Sequence, residues 1–190
     1  MGKLTFIYGT MGSAKSANVL MQYFELKNQS KQVLLIKPAI DTRDGSDIIK
    51  SRIGLQEKAI TFKETDDLSG LFKVKNLYAI LVDECQFCTK EQINMLKLLT
   101  IKNNIKVYCY GLKTDFTSNL FEGSKRLLEI ADEVKELEMT CTRCGSRAEI
   151  NARIDKNGNV VKSGNIIELG SSDKYSSLCY KCWLGDGNEK

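Results

Sequence analysis

Long apolar runs are missing from this chain: none approaches the roughly 18 residues of a membrane span, so no transmembrane segment is expected. Met1-Gly2-Lys3 leads straight into a strand-like segment, which leaves no room for a secretory signal, and Phe6 breaks the myristoylation pattern, which wants Ser or Thr there. Internal repeats and low-complexity segments are absent too. So are blocks of like charge: acidic and basic residues are interspersed, to a net charge of only +4. That balance suits a phosphate-bearing ligand better than a long nucleic-acid track. The expected setting is the cytoplasm, with neither membrane nor nucleic acid as partner. Seven cysteines in such a reducing medium argue against a disulfide framework, and the odd count agrees.

What is present is a chain of 190 residues with 42% apolar content, enough for one main domain and a small appendage. Up to about residue 139, short β-branched or aromatic runs alternate with amphipathic stretches, the pattern of parallel strands joined by helical crossovers. Residues 4–8, 32–36, 79–82 and 106–110 read as buried strands, with 134–137 as a last one. Residues 15–26, 90–101 and 120–131 read as helices. Thr89 with Gln92 three residues on is a capping box for the middle helix. From Cys141 the text changes. Residues 148–154 and 165–169 read as a hairpin around the turn Asp155-Lys156-Asn157-Gly158, flanked by two C-x-x-C pairs.

Gly9-Thr10-Met11-Gly12-Ser13-Ala14-Lys15-Ser16 follows the first strand and opens the first helix, the context of a phosphate-cradling loop, G-x-x-x-x-G-K-[ST]. Its backbone N–H groups would converge on phosphate oxygens at a helix N-terminus, Lys15 would reach the β- and γ-phosphates, and the Ser16 hydroxyl would ligate magnesium. Ala14 stands where the second glycine belongs. If that position requires positive φ, its Cβ costs about 1 kcal/mol, small beside the charge-assisted hydrogen bonds of a bound triphosphate. The strand Ile80-Leu81-Val82 ends in Asp83-Glu84. Asp83 suits the magnesium, and Glu84 is free to act as a base on whatever attacks the γ-phosphate. These motifs leave open whether that nucleophile is water or a substrate hydroxyl.

Five stretches spaced over nearly the whole chain bear on the choice: Gly9-Thr10-Met11, Lys37-Pro38-x-x-Asp41-Thr42-Arg43, Asp83-Glu84-x-Gln86-Phe87, Gly111-Leu112-Lys113-Thr114-Asp115-Phe116 and Asp173-Lys174-Tyr175-x-Ser177-x-Cys179. Together they closely resemble the cytosolic, zinc-containing type of thymidine kinase. The resemblance implies phosphorylation of deoxythymidine at its 5′-hydroxyl by Mg-ATP, with Glu84 taking the hydroxyl proton. It implies that Asp41, Arg43 and Gln86 join Asp83 and the loop of residues 9–16 near the phosphates and magnesium. Met11, Leu112, Phe116, Phe121 and Tyr175 would surround the nucleoside. A lasso of Ile166, Ile167, Glu168, Leu169 and Gly170 would read the thymine edge with main-chain groups. The family is usually a homotetramer inhibited by its end-product triphosphate, dTTP, and both properties are implied here. The implied fold is a P-loop (RecA-like), mostly parallel α/β sheet over residues 1–139 with a zinc-binding lasso domain over 140–190.

The residues themselves are compatible but less exclusive. Phe116 and Tyr175 could supply a flat apolar pocket or merely pack, and Met11 could be an ordinary loop side chain. Cys141, Cys144, Cys179 and Cys182 offer the four thiolates of a closed structural zinc site, which leaves no open position for catalysis. Cys85 and Cys88 form a third C-x-x-C with no partner pair, and together with Cys109 they read as core packing. Two other classes compete: a RecA-like ATPase whose zinc ribbon grips nucleic acid, and a nucleotide-binding regulator that releases no product.

Overall fold

The computed structural model describes residues 1–42, 45–166 and 174–185. In chain order its elements are β1 (Leu4–Tyr8), α1 (Lys15–Asn28), β2 (Gln32–Pro38), β3 (Ile48–Lys50), β4 (Gln56–Lys58), β5 (Ile60–Phe62), β6 (Leu77–Val82), α2 (Lys90–Lys102), β7 (Lys106–Gly111), α3 (Glu122–Ile130), β8 (Glu133–Glu136), β9 (Ile150–Ile154), β10 (Val160–Val161), β11 (Tyr175–Leu178) and α4 (Tyr180–Leu184). Six strands form one sheet in the order β5-β2-β6-β7-β1-β8, every neighbouring pair parallel. The expected α/β layer is therefore present.

Its inner strands β2, β6, β7 and β1 are largely apolar and buried on both faces, as a sheet covered by helices on both sides requires, while the edge strands β5 and β8 are not. Leu4 and Phe6 of β1, Ile80 and Val82 of β6, and Val107 of β7 pack toward Ile93, Leu96 and Leu99 of α2 and Leu127 of α3. Their alternates Ile7, Ala79 and Leu81 pack toward Val19 and Leu20 of α1. Helix α2 starts where the capping box puts it: Gln92 N–H donates to Thr89 Oγ1 at 3.2 Å, and Thr89 N–H donates to Gln92 Oε1 at 3.1 Å. Cys85, Cys88 and Cys109 lie in the α2/α3-side core, where burial pushes the Cys85 and Cys88 thiols well above their ordinary pKa.

Residues 48–62 hold three short strands that the sequence reading passed over. β5 forms one edge of the main sheet on β2, while β3 and β4 pair only with each other. Each has three residues, too few for a period to show.

The C-terminal part builds a separate antiparallel sheet, β10-β9-β11. The hairpin turn is as expected: Asp155 Oδ1 accepts the N–H groups of Asn157 and Asn159, both at 2.8 Å. The returning strand is not. Val160–Val161 pairs with β9, whereas Asn165 and Ile166 lie outside any strand and 167–169 fall outside the described residues. Asp155, by gathering both amides, turns the chain back at once, so pairing resumes with the first β-branched residues available.

Candidate active site

The strand ends set the site. Neighbouring strands lie about 4.8 Å apart, so β1 and β6, separated by β7, bring the 9–16 loop and the Asp83-Glu84 pair to the same carboxyl edge of the sheet. At Gly9 a Cβ would come within 2.4 Å of Ser13 Oγ and 2.7 Å of Leu137 O, so only glycine fits under the curled loop. Gly12 has φ +89°, open to glycine alone without strain. Lys15 folds its buried ammonium back across the loop, donating to Thr10 O at 2.7 Å and Gly9 O at 3.1 Å.

Ala14 adopts φ 58°, ψ 27°, the left-handed region, and caps α1 without a side-chain bond. The penalty foreseen for a non-glycine residue here therefore applies. Ala14→Gly is expected to raise the melting temperature by about 2 °C: relief of roughly 1–2 kcal/mol of left-handed strain is partly offset by glycine's greater unfolded-state entropy. A calorimetric scan checks it, and an unchanged or lower melting temperature contradicts it.

Ser16 donates its hydroxyl to Asp83 Oδ2 at 2.9 Å. The other carboxylate oxygen, Asp83 Oδ1, is buried with no partner. Burial, together with the charge of Glu84 beside it, pushes the Asp83 carboxyl up to about 7. A hydroxyl, an unpartnered carboxylate oxygen and a second carboxylate beside them fit a hard divalent cation such as magnesium. Thr10 Oγ1 and Thr114 Oγ1 complete the set of buried side-chain polar atoms without partners among the described residues. All three sit around this edge, where a polar ligand would answer them.

Glu84 is also left-handed, at φ 52°, ψ 37°, a strained conformation for a side chain of its size. Gln86 Nε2 donates to Glu84 Oε2, and Gln86 Oε1 accepts from Leu112 N at 3.0 Å. Thus Glu84, Gln86 and Leu112 form one chain of contacts from β6 to the end of β7. Phe121 meets Phe87 edge-to-face at 5.8 Å beside it.

Phe116 is fully buried, with the Arg153 guanidinium 3.8 Å over its ring. The same guanidinium donates to Tyr175 Oη at 2.8 Å and to Asn165 O at 2.7 Å. Phe116 and Tyr175 are therefore brought together, but through an arginine that the sequence reading did not single out. Asp41 instead pairs with Lys37 at 3.1 Å, where Lys37 also donates to Ile48 O at 2.9 Å. Ile166 is exposed. Arg43, Ile167, Glu168, Leu169 and Gly170 lie outside the described residues.

Asn151 was also passed over, and Ser177 stood in a motif without a site role, though both touch Met11: Met11 N donates to Asn151 Oδ1 at 2.6 Å, and Ser177 Oγ donates to Met11 O at 2.8 Å. Their signal is polar residues at alternate strand positions, Asn151 with Arg153 and Tyr175 with Ser177, in a unit whose other strand faces are apolar.

The four expected cysteines converge: their sulfurs all lie within 4.8 Å of one another, and Cys144 and Cys179 are 3.6 Å apart. A tetrahedron with Zn–S bonds of ~2.3 Å has edges of about 3.8 Å, so the cluster fits a metal ion. Hydrogen bonds from Ser146 hold the exposed Cys144 thiol down at about 6, favouring the thiolate that a metal requires.

The thymidine kinase family model matches residues 2–183. The thymidine kinase of Zymomonas mobilis is 43% identical over 188 residues, covering 97% of each chain. Those of Enterobacteria phage T4, at 41% over 96% of each chain, and Legionella pneumophila, at 42% over 94% of this chain and 88% of its own, are similar to the same extent. A solved Pif1 helicase from Candida albicans overlaps at a TM-score of 0.46 with 14% identity, covering 72% of this chain and 36% of its own, too distant a likeness to build on. With a family match and relatives of this identity spanning nearly its whole length, the chain belongs to the thymidine kinase family.

Proposed function

We propose that the protein transfers the γ-phosphoryl group of ATP to the 5′-hydroxyl of deoxythymidine, giving dTMP. The observation that carries the reading is the strand-end pair: Asp83 with one oxygen on Ser16 and the other unpartnered, next to Glu84. Ser16 and Asp83 would hold magnesium, which when bound neutralises charge on the phosphates. The loop's N–H groups other than those of Gly9, Met11 and Ser13, which donate to Gly111 O, Asn151 Oδ1 and Thr10 O, take the phosphate oxygens together with the Lys15 ammonium, the lysine exchanging its loop carbonyls for them. Glu84 takes the proton of the 5′-hydroxyl. The chain contains no histidine, so a carboxylate is the natural base for this step.

Phe116, covered by the Arg153 guanidinium, and Tyr175, bonded to the same guanidinium, would line the pocket for the base together with Met11, Leu112 and Phe121. The segment of Ile166, Ile167, Glu168, Leu169 and Gly170 closes over the nucleoside and excludes water, which separates a kinase from an ATPase. Asp41 and Arg43 would serve the phosphates and magnesium, with Gln86 orienting Glu84. We further take the protein as two units, residues 1–139 and 140–190, the second organised by structural zinc. A cytoplasmic homotetramer inhibited by dTTP completes the proposal.

One assay tests it. With labelled ATP and magnesium, the protein is offered thymidine, single-stranded DNA or water alone, and the labelled product is identified. Label in dTMP is expected. Label only in inorganic phosphate, above all if DNA stimulates it, overturns the reading.

A further inference from the structure

The antiparallel strands β9 and β11 divide their side chains between two faces. Asn151 stands opposite Ser177, and Arg153 opposite Tyr175. Their neighbours Ile150, Ala152 and Leu178 instead join Cys141, Cys179, Cys182 and Trp183 in the ribbon's apolar cluster. Since strand side chains alternate, one face of the ribbon serves the sulfurs and the other, polar face meets the main sheet.

That polar face takes both main-chain groups of Met11. Ser177 Oγ donates to Met11 O at 2.8 Å, and Asn151 Oδ1 accepts from Met11 N at 2.6 Å. Asn151 Nδ2 also reaches Thr114 O at 3.3 Å, past the end of β7. Both side chains are buried, each 4% exposed. On the sulfur side Thr142, between the first two cysteines, donates its N–H to Ser177 O at 3.0 Å. Ser177 thus links a cysteine knuckle to the third residue of the 9–16 loop.

We propose that Asn151 and Ser177 are positioning residues for the phosphoryl donor, by which the ribbon holds the 9–16 loop in its anion-receiving shape. The inference rests on the reading of that loop as the donor site. Convergent N–H groups bind an anion well only when they are already aimed, and a loop that must be ordered on binding loses affinity in proportion. The ribbon supplies that order through two hydrogen bonds to one peptide-flanked residue, with no contact to the nucleotide itself.

The test is Mg-ATP binding to the full-length, metal-loaded protein by titration calorimetry without thymidine, alongside steady-state kinetics. Ser177→Ala is expected to weaken Mg-ATP binding and raise KM for ATP by about 5–10-fold, the worth of one buried hydrogen bond. Turnover at saturation should change less than about 3-fold, because nothing at the reacting atoms is altered. Ser177→Thr, which keeps the hydroxyl, should restore both values. Asn151→Ala should act in the same direction, and the serine pair alone decides the matter if that variant fails to fold. A lower melting temperature for Ser177→Ala with ATP affinity unchanged means that the contact is only structural and overturns the inference. If the unaltered protein does not bind Mg-ATP, the donor-site reading falls and the inference with it; if it does and Ser177→Ala binds equally well, the inference alone falls.

Discussion

Glu84→Gln is expected to lower turnover by about 10²–10⁴-fold, the usual worth of a positioned general base, while leaving thymidine affinity within a few-fold. The amide has the shape of the carboxylate and can still accept the hydrogen bond from Gln86 Nε2, so the contact chain to Leu112 survives. What it cannot do is take a proton. The position is already specified by its surroundings: a strand end, a left-handed backbone and a glutamine fixed to the next strand all aim one carboxylate oxygen. Strain of roughly 1–3 kcal/mol held at such a residue is tolerated only where neighbours overdetermine it. Calorimetric titration with thymidine, paired with turnover at saturating ATP, separates binding from chemistry. Turnover within a few-fold of the unaltered protein would remove Glu84 from the role. Loss of thymidine binding in equal measure would make it a binding residue instead.

The centre of the main sheet was legible because β1, β2, β6 and β7 are largely buried on both faces and so appear as mainly apolar runs, and because Thr89 and Gln92 mark the start of α2 in the text itself. The boundaries of Leu4–Tyr8 needed no correction, whereas β2 and β6 each run two residues beyond the expected span, β2 as far as Pro38 and β6 back to Leu77. Short strands were not legible: Ile60–Phe62 belongs to the sheet only because β2 offers it an edge, which is a tertiary fact. The loop, the acidic pair and the cysteines stood out because their chemistry demands fixed spacing. Arg153 did not, since a lone arginine in a polar hairpin looks like a solvated side chain until Phe116, far away in sequence, is placed beneath it. Asn151 escaped, and Ser177 received no role within its motif, for the same reason: their partner is the main chain of Met11, which carries no residue-type signal.

Removal of the proposed zinc is expected to release four thiols and leave three silent. The ribbon's apolar cluster consists of Cys141, Ile150, Ala152, Leu178, Cys179, Cys182 and Trp183, so much of it is the cysteines themselves. Burying a few aliphatic side chains gives about 1.5–3 kcal/mol each, far below what ordering that length of chain costs at about 1.5 kcal/mol per residue. A structural zinc contributes on the order of 10–16 kcal/mol, which would make the metal the ribbon's principal source of stability. Cys144 gives the sharpest readout. It is exposed and its thiol is held down at about 6, so without a metal it would be thiolate at neutral pH and would react with a disulfide reagent at once. In freshly purified protein it should instead be slow. After a strong chelator, Cys141, Cys144, Cys179 and Cys182 should all become reactive, while Cys85, Cys88 and Cys109, buried in the main core, should wait for global unfolding. The main sheet should stay folded, because its two cores share no residue with the ribbon's. ATP affinity should nevertheless fall, since the hold on Met11 goes with the ribbon. Rapid reaction of Cys144 before any chelator is added, in protein whose elemental analysis shows no bound metal, would contradict the zinc assignment.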